Sequence, residues 1–175
     1  SIVFQDSSVH ESEVLIMSTD FKLPHKPDKE ELKERLRVRR DELFAKQMTI
    51  KEKNLPVLIV IEGWGTAGKG TLISNIIKNI DPRFFKVFNI DRRTPEQKRY
   101  PFVKRYYDLI PEKGKISIWD GAWMSELTAF KAEGKDEECT QRLKSIKCFE
   151  RQLVEDGYLV IKLFVHITKK EQKKR

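Results

Sequence analysis

Val57-Leu58-Ile59-Val60-Ile61-Glu62-Gly63-Trp64-Gly65-Thr66-Ala67-Gly68-Lys69-Gly70-Thr71 is the stretch on which the reading of the fold turns. Five apolar, mostly β-branched residues make a buried strand. A glycine-rich turn with one lysine follows, and Leu72 to Ile80 is helix-competent. Strand, loop and helix in that order are the context in which a phosphate-binding loop is credible. The glycines Gly63, Gly68 and Gly70 let backbone N–H groups approach phosphate oxygens, and the helix N-terminus adds partial positive charge. Lys69 is the point charge for the terminal phosphates. The spacing Gly63-x4-Gly68-Lys69 fits the pattern, but the next residue is Gly70, so the hydroxyl of Thr71 comes one place late.

Outward from this stretch, apolar runs alternate with charged, helix-like segments. Pro27-Asp28 offers a helix start, and Leu32, Leu36, Leu43, Phe44 and Met48 recur at near-helical spacing up to about Lys53. The expectation is a long amphipathic helix packing one narrow face on the domain. Ile73, Ile76, Ile77 and Ile80 mark the buried face of the helix after the loop, which Asp81-Pro82 stops. Phe84 to Ile90 reads as a strand. Thr94-Pro95-Glu96 opens a helix expected to reach Leu109. Lys115 to Asp120 is a strand ending on an acid, where nucleotide-binding folds place a magnesium-organising carboxylate. Helices are expected from Trp123 to Phe130 and from Asp136 to Asp156, a strand from Tyr158 to Val165, and a last helix opened by Thr168. Such alternation implies a mostly parallel sheet flanked by helices. The fold class is therefore α/β, of the P-loop NTPase or kinase type, with an N-terminal amphipathic helix.

Composition narrows the function. The chain has 175 residues, enough for one core, and divides into an N-terminal extension over 1–26 and an α/β domain over 27–175. No apolar run approaches the roughly 20 residues of a membrane span, and the N-terminus lacks a signal-peptide pattern. The expected location is the cytoplasm. Cys139 and Cys148 lack paired spacing and read as reduced thiols. Of the formal net charge of +8, residues 83–105 alone carry +6, with eight basic residues against Asp91 and Glu96. A basic concentration near a phosphate loop points to a polyanionic ligand, with Arg92, Arg93 and Arg105 as its contacts. No nucleic-acid reader motif accompanies that stretch, so nucleic acid is not the expected ligand.

Several segments together resemble the polyphosphate kinase type 2 family, including polyphosphate:AMP phosphotransferases. They are Glu62-Gly63 through Gly70, Asp81-Pro82-Arg83, Arg93-Thr94-x-Glu96 with Phe102 and Arg105, Leu109-Ile110-Pro111 before Gly114, Asp120-x-x-Trp123, and His166 to Gln172. The resemblance implies transfer of phosphate between inorganic polyphosphate and a nucleotide (AMP or ADP, GMP or GDP), with Mg2+ as cofactor. It implies Lys69, Asp120 and Arg105 as catalytic residues. Gly63, Gly68, Gly70, Thr71, Arg92 and Arg93 are the implied phosphate contacts, and Asp120 with Thr71 the metal ligands. A homo-oligomer, or a second fused kinase-like domain, is the expected partner. Active members usually carry an aspartate where this chain has Gly65. Their Asp-Arg-Ser-Trp-Tyr motif stands here as Asp120-Gly121-Ala122-Trp123-Met124. The lid arginines of the family would lie beyond Arg175, which marks the domain as truncated before the lid. The pattern is that of the degenerate, N-terminal half of a tandem enzyme. Two other readings stand beside it: a non-catalytic polyphosphate- or nucleotide-binding or supporting domain, and an ATP-dependent nucleoside monophosphate kinase suggested by Gly68-Lys69-Gly70-Thr71.

Overall fold

The computed structural model describes residues 2–6 and 28–174. At its centre lies a sheet of five strands in the order β1-β5-β2-β4-β3. The strands are β1 (Ile2–Asp6), β2 (Val57–Gly63), β3 (Phe85–Asn89), β4 (Ile116–Asp120) and β5 (Leu159–Val165). β2 pairs in parallel with both β4 and β5, and β3 pairs in parallel with β4. β1 joins antiparallel to β5, with Ile2 opposite Val165. Residues 2–6 of the N-terminal extension thus form an edge strand, and the rest of that extension lies outside the described residues.

The central strand β2 is buried on both faces, which is why it reads as a continuous apolar run rather than an alternating one. Leu58 and Val60 point into one core layer, with Trp119, Tyr106, Phe149 and Val160. Val57, Ile59 and Ile61 point into the other, with Ile73, Ile80, Ile116, Ile118 and Leu163. The first layer is a slab of aromatic rings. Tyr106 stacks on Trp119 at 5.5 Å and Trp119 on Phe149 at 6.3 Å between centroids. The buried Ser117 is satisfied there, donating to Leu109 O at 2.8 Å and accepting from Trp119 Nε1 at 3.0 Å.

The flanking helices are α1 (Lys29–Glu52), α2 (Lys69–Ile77), α3 (Lys104–Tyr107), α4 (Met124–Ala132), α5 (Asp136–Glu155) and α6 (Lys169–Lys174). Asp28 caps α1 by accepting from Glu31 N at 2.8 Å, as the sequence suggests. The packing face of α1 differs from the expectation. Leu43, Gln47 and Ile50 meet the core, whereas Leu32, Leu36, Phe44 and Met48 are exposed. Only the C-terminal half of the helix lies against the domain, and Phe44 and Met48 fall off the face that Leu43, Gln47 and Ile50 define.

The helix expected over Thr94–Leu109 is also corrected. Thr94 does make the expected start: Gln97 N donates to its Oγ1 at 3.2 Å, and its own N–H donates to Gln97 Oε1 at 3.2 Å. One 3-10 turn follows (Gln97–Arg99), and helix resumes only at α3. Pro101 is the reason, because the residue before a proline is pushed out of the helical region, and Tyr100 is extended at φ −103°, ψ 161°.

Candidate phosphate-transfer site

The carboxyl ends of β2, β3 and β4 meet on one side of the sheet, the place where open α/β folds bind ligands. A cleft of about 760 Å³ opens there. Its floor is the loop between β2 and α2, and its walls carry Asn89, Asp91 and Arg92 from the end of β3 and Asp120 and Gly121 from the end of β4.

The loop geometry follows from its residues. Gly63 has φ +150°, and a Cβ there would sit 2.4 Å from Val165 O, so only glycine lets β2 pair with β5 up to this point. Gly68 occupies the N-cap of α2, which has no side-chain cap and no acid in its first turn. The amide end of α2 is therefore left for an external anion. Lys69 folds back over the loop, its Nζ 3.4 Å from Gly63 O. The peptide between Gly65 and Thr66 is held by two side chains: Thr66 Oγ1 donates to Gly65 O at 2.6 Å, and Gln172 Nε2 of α6 donates to the same oxygen at 3.2 Å. The C-terminal helix is thus latched to the phosphate loop. Trp64 completes that junction by packing edge-on against Phe164 at 5.6 Å.

A second carboxylate, that of Glu62, lines the same cleft as Asp120. Glu62 Oε1 accepts from Met124 N at 3.0 Å. Burial pushes the Glu62 carboxyl above its ordinary range; the amides of Met124, Ala122 and Trp123, and then the charge of Lys69, pull in the opposite direction. The start of α4 offers no side-chain cap of its own, and Glu62 takes that place from another strand.

The structure divides the residues expected at the site. Gly63, Gly68, Lys69, Gly70, Thr71, Arg92 and Asp120 line the same cleft. Arg93 does not. Its guanidinium is bound to Glu126 of α4, Nε to Oε2 at 3.1 Å and Nη2 to Oε1 at 2.5 Å, and its side chain is 8% exposed. Arg105 lines a neighbouring cleft of about 480 Å³ with Gln97, Tyr100 and Phe102, contiguous with the first through Asn89 and Ile90. Its Nε is buried with no hydrogen-bond partner among the described residues. The basic stretch is divided in the same way. Arg83 pairs with Asp81, Lys86 with Glu112 and Lys104 with Asp108, while Arg92, Lys98, Arg99 and Arg105 form no salt bridge among the described residues. Glu62, Asn89 and Asp91 escape the sequence reading. Glu62 stands inside the decisive stretch, and its place in the Glu62-Gly63 segment that carries the family resemblance is the available signal.

The donors fit a magnesium ion. Among the described residues no three His, Cys, Asp or Glu side chains cluster as a metal cage. Magnesium needs none, since one or two carboxylates plus substrate phosphates and water complete its octahedron. Asp120 and the Thr71 hydroxyl, in one cleft with an open helix N-terminus, are such a partial set. Among the described residues no helix is long and apolar enough to cross a membrane, and both cysteines are free thiols.

Fold and cleft define a P-loop kinase-like α/β protein. The sequence profile of polyphosphate kinase 2 matches residues 26–175. The chain belongs to the polyphosphate kinase 2 family. It is 30% identical over 154 residues to a polyphosphate:AMP phosphotransferase of Pseudomonas aeruginosa, covering 86% of this chain and 31% of that protein. It is 28% identical over 153 residues to a GDP-polyphosphate phosphotransferase of Mycolicibacterium smegmatis, covering 85% of this chain and 52% of that protein. The crystal structure of polyphosphate kinase 2 from Arthrobacter aurescens TC1 superposes with a TM-score of 0.80 at 25% identity, covering 93% of this chain and 63% of that one. The chain therefore spans between about a third and a half of the length of these curated relatives.

Proposed function

We propose that this chain supplies a domain that moves a phosphoryl group between inorganic polyphosphate and a nucleoside mono- or diphosphate. The observation that carries the reading is the open N-terminus of α2, with Lys69 and Asp120 facing the same cleft. Catalysis of phosphoryl transfer is mostly positioning and charge stabilisation, and these groups supply both. The loop amides from Gly63 to Gly70 cradle the transferring phosphate, and Lys69 offsets its charge. Arg92 at the cleft wall and Arg105 in the contiguous cleft hold the flanking polyanion. Arg93 contributes indirectly, by fixing α4 through Glu126. Asp120 and Thr71 would hold magnesium, which would supply positive charge to offset that of the phosphates. The relatives, named for transfer between polyphosphate and AMP or GDP, support both substrate classes. A second kinase-like unit, or a further copy of the chain, is the proposed working partner. The reading places the protein in the cytoplasm, where nucleotides and magnesium are available.

A second reading has its own support. Gly65 and Gly121 stand where the family pattern has a carboxylate and an arginine, and losing such charge-stabilising groups costs about 10²–10³ in rate each. On that reading the domain binds polyphosphate or nucleotide and supports an active partner without turning over. One assay separates the two: nucleotide product formed from AMP, ADP, GMP or GDP with polyphosphate and Mg2+, beside Lys69→Ala. Polyphosphate-dependent product that disappears in the variant is the expected result. Binding of polyphosphate with no product from any acceptor selects the supporting role.

A further inference from the structure

We infer that Glu62 is a positioning residue that holds the turn after Asp120 in register with the phosphate loop. The turn begins where β4 ends. Gly121 N donates to Ile61 O at 2.8 Å, and Met124 N donates to Glu62 Oε1 at 3.0 Å. The amides of Ala122 and Trp123, between them, favour the charge of the Glu62 carboxylate. Both ends of the turn, Gly121 and Met124, are thus bonded to two consecutive residues of β2. On its other side, the Asp120 carbonyl accepts from Ile90 N at 3.1 Å, which ties the same turn to the end of β3.

This arrangement decides what Glu62 can do chemically. A carboxylate has about four lone-pair sites. One on Oε1 of Glu62 is taken by Met124 N at the start of α4, which ties the carboxylate to the scaffold. Its role is geometric. It sits one residue before the phosphate loop and holds Met124, four residues after Asp120, so β2 sets the spacing between Lys69 and Asp120. Misplacing a reacting group by about 1 Å costs on the order of 10²-fold in rate. No side chain within α4 replaces the grip, because Trp123 occupies the N-cap. The kinetic part of this inference rests on the phosphotransferase reading; the structural part does not.

The test uses the whole chain as wild type, Glu62→Ala and Glu62→Gln, the second keeping one acceptor oxygen should the first fold poorly. Amide hydrogen exchange is read at 121–124 and, for comparison, at Leu58 and Ile118 in the strands. The expected result is exchange at 122–124 faster by about tenfold or more, with smaller changes for Glu62→Gln and none at Leu58 and Ile118, as for a local opening. Where turnover is measurable, kcat falls about 10²-fold while KM for nucleotide and polyphosphate stays within about threefold, the signature of lost transition-state alignment. Unchanged exchange at 122–124 in a folded variant overturns the inference. So does a uniform rise in exchange with kcat and KM both worsening, since that marks a merely structural residue. If the wild type shows no turnover, the phosphotransferase reading fails and the exchange result alone decides the role of Glu62.

Discussion

Two helices begin at the ligand-binding edge of the sheet, and their N-termini are used in opposite ways. The start of α2 has no side-chain cap, no acid in its first turn and an exposed glycine-rich approach. The start of α4 is filled from within the protein, by the Glu62 carboxylate. Unpaired amides at a helix start need a partner, whichever molecule supplies it. Supplying one internally at α4 fixes the backbone around Asp120. Leaving one out at α2 creates a demand that a phosphate can meet. Site and scaffold thus come from the same backbone feature, distinguished by a single acid.

The comparison can be broken on the α4 side with the largest effect. Arg93→Ala strips Glu126 of its partner in a nearly buried pair, a change that costs about 3 kcal/mol. Arg92→Ala, at the cleft wall, is expected to leave stability within about 0.5 kcal/mol, as surface substitutions usually do. Chemical denaturation of the two variants checks this, and the polyphosphate affinity should change in the reverse order. Equal losses of stability would mean that Arg93 is not committed to α4.

A smaller effect separates the two glycines that depart from the family pattern. Gly121 has φ +78°, and its amide is bonded to Ile61. An arginine there is strained by about 1–2 kcal/mol, whatever its reach. At Gly65 a Cβ meets only Gln172 Nε2, at an ordinary 3.8 Å. Gly65→Asp should therefore change stability by less than about 0.5 kcal/mol. It should also strengthen the magnesium dependence of phosphate binding, because it adds a carboxylate beside the cradle. Thermal melts of the single variants, with and without Mg2+, read both expectations. The loop departure is thus open to reversal, and the departure after β4 is written into the backbone.

Much of this was legible in residue order. The β-branched run at 57–61 and the glycines after it mark strand and loop because only those residue types suit a doubly buried strand and a tight phosphate turn. Asp120 was legible because it closes an apolar run. What the sequence withheld depends on partners distant along the chain. Arg93 looks like a polyanion contact until Glu126, 33 residues on, claims it. Glu62 looks like a strand-end acid until Met124, 62 residues on, donates to it. The helix expected after Thr94 is shorter for a local reason, since Pro101 holds Tyr100 extended and breaks it.

The central claim is that the open start of α2, with Lys69, is a phosphate cradle. Calorimetric titration of inorganic polyphosphate into wild type and Lys69→Ala, with and without Mg2+, tests it most directly. The wild type is expected to bind, tighter with Mg2+, and the variant, melting like the wild type, to lose at least about tenfold in affinity, or ~1.4 kcal/mol. Equal affinity in the two proteins would contradict it and move the polyanion site to the cleft around Arg105.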